Sequence, residues 1–348
     1  MPGGIQRLSR DLDFLGFGTA SEFETILDRI ADHYGRQLFN WKKRTSAALR
    51  IPMYAYEVAF PTPAGPTQTL VLDVVPLPLT LPTVYLPLNK SAIYVPLDAK
   101  DAVLTLSVEG FIADKLPTLG FDTHGYARPV EGVLVYDGHP EHIWKQIHDL
   151  AGLTQLDHDL VVIHDRYRAG IDARSEVRHV AFTTAHCLKD AWRVCQVAFA
   201  ALNGYPADDP ADPNYLQDVL HVQAGINTYA QYAIGPWSQT ARLRATARTA
   251  YLVATLRALD AGALAPGDIQ AISTRIHEVV ARVAELLKKD PVHRRFLARR
   301  DGITWSWAIG PRDVYVLAPE AAIYALVADD LVTHAQHVLE HGEFSFER

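Results

Sequence analysis

Cysteine is almost absent from this chain of 348 residues, which carries only Cys187 and Cys195. Two thiols cannot build a disulfide framework and fall short of a four-thiolate zinc set, so a reducing compartment is expected. Positive charge is not in excess either. Forty acidic side chains against 33 basic ones leave a formal charge of −7, which excludes a uniformly basic nucleic-acid-coating protein but leaves room for a local basic groove. Apolar runs of about 18 residues are missing, and Met1 to Leu12 lacks an apolar core of signal-peptide length. A cytoplasmic protein that does not enter a membrane is expected. What is present is ordinary globular composition, 49% hydrophobic and 21% charged, which excludes disorder as the main state. At roughly 150 residues per domain the length suggests two domains.

The first stretch alternates β-rich runs with one helical pattern. Leu12 to Leu15 reads as a short strand closed by Gly16 and Gly18. Ser21 then stands as an N-cap, and Phe23, Ile26, Leu27, Ile30 and Ala31 recur at helical spacing up to Gly35. Arg50 to Phe60 and Gln68 to Val75 flank a proline-rich turn and read as an antiparallel hairpin. Pro76 to Pro87 is too rich in proline for a central strand and is expected at an edge or over the surface. Ser107 can cap a helix through Leu116. Beyond the loop Gly120 to Gly138 the periodicity is helical over His142–Leu153, Ser175–Leu202, Leu216–Tyr232, Thr240–Ala261, Pro266–Lys289 and Ala318–His341. The expectation is an α+β protein, with a small mixed sheet in residues 1–130 and a mainly helical domain in 131–348.

Asp11 and Asp13 stand at i and i+2, so on a strand they share one face while Leu12 and Phe14 take the other. Asp73 sits mid-strand in Leu70-Val71-Leu72-Asp73-Val74-Val75, where an uncompensated charge is costly to bury. Three carboxylates on adjacent strands suit a pair of Mg²⁺ ions about 3.5–4 Å apart, the arrangement of in-line phosphoryl or nucleotidyl transfer. The alternative is that the first two acids lie in an N-terminal turn and Asp73 is a strand-edge charge.

The flanking residues narrow this. Arg7-Leu8-Ser9-Arg10-Asp11-Leu12-Asp13 resembles the R-x-S-x-D-(L/I)-D signature of the AbiEii/AbiGii toxin family, a branch of the DNA polymerase β-like nucleotidyltransferase superfamily. Glu109 to Leu116 resembles the family's E-x-I-(A/G)-(D/E)-K-L helix, and Lys145-Gln146-Ile147-His148-Asp149-Leu150 its K-Q-(I/L)-x-D-L segment. The resemblance covers roughly residues 3–155. It implies Asp11, Asp13 and Asp73 as ligands of Mg²⁺ or Mn²⁺, Lys115 on the phosphates of an NTP substrate, and Asp149 completing the catalytic group. Gly3, Gly4, Arg7 and Ser9 would lie along the nucleotide. It further implies a toxin with a cognate antitoxin protein, acting on an acceptor such as the tRNA 3′ end. One feature departs from the superfamily: Gly3-Gly4 lies closer to Asp11 than the usual glycine turn, with no helix ahead of it. Transfer to a small molecule or protein, and a degenerate nucleotide-binding or interaction module without catalysis, are the alternatives.

Other clusters read more plainly. His186, Cys187 and Cys195 lack a fourth ligand at zinc spacing and read as core residues. His334, His337 and His341 read as a solvated helix face. Lys288, Lys289, Arg294, Arg295, Arg299 and Arg300 with Trp305 and Trp307 form a weak candidate for nucleic-acid backbone binding, and Arg242, Arg244 and Arg248 add a second basic stretch.

Overall fold

The alternation of Asp11 and Asp13 with Leu12 and Phe14 does build a strand. In a computed structural model, which describes residues 6–7, 11–15, 18–44, 54–62, 65–75, 81–87, 102–125, 128–130, 133–135, 139–203, 214–234, 237–289 and 319–341, the first strands are β1 (Gln6–Arg7) and β2 (Asp11–Leu15). Helix α1 (Ala20–Tyr34) follows, then β3 (Asn40–Arg44), β4 (Tyr54–Thr62) and β5 (Gly65–Val75). The sheet order is β2-β5-β4-β3. β2 runs parallel to β5, and the other two pairings are antiparallel, so the sheet is mixed and the β4–β5 hairpin forms as its sequence predicts.

One face of this sheet is apolar because strand parity puts Phe14, Leu72, Val74, Tyr56, Val58 and Trp41 on it, and α1 closes that face with Phe23 and Leu27. The Phe23 ring lies tilted against those of Phe14 and Tyr56, with centres 5.3 Å apart in each pair. Ile26, expected to pack, is 38% exposed. The N-cap of α1 is Thr19 rather than Ser21. Its hydroxyl accepts from Glu22 N at 3.2 Å, and the Glu22 carboxylate accepts from Thr19 N at 2.9 Å, a capping box, while Glu24, three residues after Ser21, accepts instead from Lys43 and Tyr56. Strand β3 is absent from the sequence expectation because Asn40-Trp41-Lys42-Lys43-Arg44 shows one apolar residue. It forms because Trp41 packs on Tyr56 at 5.7 Å and the cations find carboxylates, Lys43 reaching Glu24 of α1 at 2.9 Å.

The chain divides into two compact units, Arg7–Thr80 with Ala173–Ala181, and Met1–Gln6 with Leu81–Asp172 and Phe182–Arg348. The break expected within 120–140, and the division at residue 130, therefore lie inside the larger unit. The reason is packing: Ile112, Leu116, Leu119 and Phe121 share one core with Trp144, Leu188 and Leu243. This unit holds two antiparallel ladders, β6 (Thr83–Pro87) with β7 (Ala102–Leu106) and β8 (Arg128–Val130) with β9 (Val133–Val135). A short strand β10 (Ala233–Ile234) also belongs to it. Its helices are α2 (Val108–Lys115), α3 (Glu141–Leu153), α4 (Leu160–Arg178), α5 (Thr184–Asn203), α6 (Tyr215–Tyr229), α7 (Gln239–Asp260), α8 (Pro266–Lys289), α9 (Pro319–Asp329) and α10 (Leu331–His341), α4 ending in the smaller unit. The fold class is α+β.

Ser107 caps α2 as expected, its hydroxyl accepting from Gly110 N. The single helix expected over Ser175–Leu202 is instead two, broken where His179 takes a φ of 55° and restarted by Thr183, whose hydroxyl accepts from His186 N at 3.2 Å. The last helix breaks likewise at Asp330, which caps α10 through Thr333 N. Among the described residues no helix is long and apolar enough to cross a membrane.

Gly225 of α6 lets the backbone ahead of α3 approach closely. A Cβ there would lie 2.2 Å from the Pro140 carbonyl oxygen, a backbone atom that cannot swing aside. Gly225→Ala should therefore destabilise the protein by about 1–3 kcal/mol, read as a lowered midpoint in urea, whereas Gly170→Ala, with open space around it, should not.

Candidate active site

The face of the sheet opposite α1 carries charge. Register pairs Asp13 with Asp73, Asp73 with Ala55, and Ala55 with Arg44, which makes one row across all four strands. The neighbouring row runs Asp11, Val71, Glu57, Lys42. Strands lie about 4.8 Å apart, so Asp13 and Asp73 are direct cross-strand neighbours, and Asp11 sits two positions along the same edge strand. Asp13 is exposed and Asp73 half-buried. The donors are hard carboxylate oxygens without thiolate or imidazole, which fits Mg²⁺ or Mn²⁺ rather than zinc or copper.

The other end of these rows is basic, and sequence reasoning missed it. Lys42 Nζ lies 2.5 Å and Arg44 Nε 3.4 Å from the Glu57 carboxylate. The hydrogen bond from Lys42, with the charges of Lys42 and Arg44, holds the Glu57 carboxyl below its usual range. The available signal was parity: Lys42 and Arg44 stand at i and i+2, and Glu57 alternates with the core residues Tyr56 and Val58.

In the larger unit, Lys115 ends α2 and Asp149 lies in the penultimate turn of α3. They form an ion pair at 2.9 Å with side chains only 22% and 14% exposed. The ammonium at the C-terminus of α2 also meets the negative end of that helix. Its shielding from water makes this more than a surface contact, since partial burial strengthens the attraction and raises the cost of losing either partner. The structure thus brings Asp13 beside Asp73, and Lys115 beside Asp149. Arg7 ends β1. Gly3, Gly4, Ser9, Arg294, Arg295, Arg299, Arg300, Trp305 and Trp307 lie outside the described residues.

No family model and no curated protein matches this chain. The resemblance therefore rests on the residues quoted for it.

The remaining clusters resolve simply. Cys187 and Cys195 are buried in the core, and burial pushes the Cys187 thiol up to about 11 and that of Cys195 further, so neither is a reactive thiolate at neutral pH. Among the described residues, the group of side chains whose ligating atoms approach within 4.8 Å of one another is His139, Glu141 and His142, at the start of α3. The C-terminal histidines do not form such a group. Of the second basic stretch, Arg242 donates to the Trp237 carbonyl at 2.8 Å and Arg244 pairs with Glu320 at 2.5 Å.

Proposed function

We propose that this chain is a Mg²⁺-dependent nucleotidyltransferase that moves a nucleotide from an NTP to an acceptor hydroxyl. The observation that carries the proposal is the register of β2 against β5, which sets Asp13 beside Asp73 on the sheet face opposite α1, with Asp11 two residues away. Asp11, Asp13 and Asp73 would hold the metal. When bound, Mg²⁺ supplies charge neutralisation of the triphosphate and lowers the pKa of the attacking hydroxyl. By the resemblance Lys115 would meet phosphate oxygens as a point charge, and Asp149, 2.9 Å from its ammonium, holds its side chain in place. Release of pyrophosphate completes the transfer.

The resemblance to the AbiEii/AbiGii family supports a biological setting for this chemistry: a growth-inhibiting toxin held by a cognate antitoxin, with tRNA as acceptor. The test is incubation with each α-³²P-labelled NTP and Mg²⁺ in the presence of total tRNA, total protein or an aminoglycoside. Label on tRNA is expected, and it should disappear when Asp13→Asn or Asp73→Asn protein is used. Label on the protein or small-molecule fraction instead would reassign the acceptor, and no label in any fraction would remove the proposal.

A further inference from the structure

A cavity of about 570 Å³ opens in the helical unit among the residues following α3 and helices α7, α8 and α9. Its size falls in the range of small-molecule sites. Arg248 of α7 reaches its wall with the guanidinium 6.0 Å from the centre of the Tyr324 ring. The other arginines nearby are matched: Arg244 pairs with Glu320, and Arg275 with Glu278 at 3.4 Å. Among the described residues Arg248 makes no ion pair.

Two imidazoles share the cavity. His158 Nδ1 lies 2.7 Å from the Leu156 carbonyl and His277 Nδ1 2.6 Å from the Ser273 carbonyl. A carbonyl only accepts, so each Nδ1 carries the proton and each Nε2 is left to engage a ligand. Ser273, Thr274 and Gln270 add polar groups from α8, and Leu156 and Leu252 an apolar wall. The acids of the wall are Asp157 and Glu278, both exposed, and the second of them is engaged by Arg275.

We propose that this cavity binds an organic phosphate ester, with the phosphate on the Arg248 fork and the two imidazoles, and the organic part on the apolar wall. Guanidinium forks match phosphate oxygens bidentately, and the free Nε2 of an Nδ1-protonated imidazole accepts the remaining proton of a phosphate monoester. This site is separate in sequence and chemistry from the sheet carboxylates. It needs no metal and does not rest on the nucleotidyltransferase assignment.

Isothermal titration in EDTA tests it, with the full chain and AMP, a hexose phosphate or inorganic phosphate as probes, and adenosine and the free hexose as controls. One phosphate ester should bind one-to-one with Kd below about 1 mM, and its unphosphorylated counterpart should not. Arg248→Gln should weaken binding at least about tenfold. Thr274→Glu, an exposed change that leaves Arg248 and the core untouched, should do the same by placing a negative charge on the wall. Asp73→Asn protein should bind as the wild type does, which separates this site from the sheet. Saturation by AMP alone would identify a nucleotide, and saturation by both esters a phosphate-selective site. Failure of all three probes to saturate, or equal binding by wild type and both cavity variants, would overturn the proposal.

Discussion

Asp73→Asn should lower turnover at least about 10³-fold, a loss of roughly 4 kcal/mol of transition-state stabilisation, while the thermal midpoint stays within a few degrees. The substitution keeps shape and hydrogen-bonding reach but removes the charge at the position where β5 meets Asp13 of β2. Asp13→Asn should behave alike. The double variant should cost little more than either single one, because carboxylates that hold one ion act as a unit and their effects do not add. Comparable loss of activity from Glu57→Gln would point instead to the basic end of the sheet, since Glu57 is already occupied by Lys42 and Arg44.

The largest effect on stability should come from the partner of a different acid. Asp218, in the first turn of α6, is fully buried and is met directly by Arg193 of α5, whose guanidinium also lies 5.1 Å from the centre of the Phe121 ring and 3.8 Å from Asp122. Burial and the neighbouring Asp122 charge push the Asp218 carboxyl up to about 7; removing Arg193 takes away the guanidinium that meets this buried carboxyl, whereas removing Asp218 leaves Arg193 beside Asp122. Arg193→Ala should cost about 3–5 kcal/mol, a fall of roughly 10 °C in the midpoint of thermal unfolding followed by circular dichroism, and Asp218→Ala should cost less. Replacing both with apolar residues of similar volume should recover most of that loss, because it is the unpaired charge that is costly. Arg193→Ala protein within about 1 kcal/mol of wild type would mean that water reaches the pair.

The acidic half of the sheet was legible in the sequence because strand parity is strict. Asp-Leu-Asp-Phe and Leu-Asp-Val-Val each contrast acid with large apolar residues, and a one-residue slip would put Phe14 and Val74 in water. The basic half was illegible. Three consecutive cations in β3 carry no apolar alternation, and the strand depends on carboxylates from β4 and α1 that are distant in sequence. Helix existence was clear from apolar periodicity, but breaks were missed where a single polar residue makes them, as at Thr183 and Asp330. The boundary was misplaced for a third reason. The loop after Gly120 looks like a linker, yet Phe121, Asp122 and Thr123 donate their backbone N–H groups to the buried carboxylate of Asp190, which ties that loop into the helical core. Lys115 and Asp149 were suggested only by resemblance, since 33 residues of chain between them hide their contact.

Pyrophosphate release tests the central claim most directly, because it reports transfer whatever the acceptor is. With total tRNA, Mg²⁺ and the preferred NTP, wild-type protein should release pyrophosphate in proportion to nucleotide incorporated. Addition of EDTA, or replacement of Asp13 or Asp73 by Asn, should bring release to background while circular dichroism shows the fold intact. Release that persists in folded Asp13→Asn and Asp73→Asn protein would contradict the account and move the chemistry away from the β2–β5 edge.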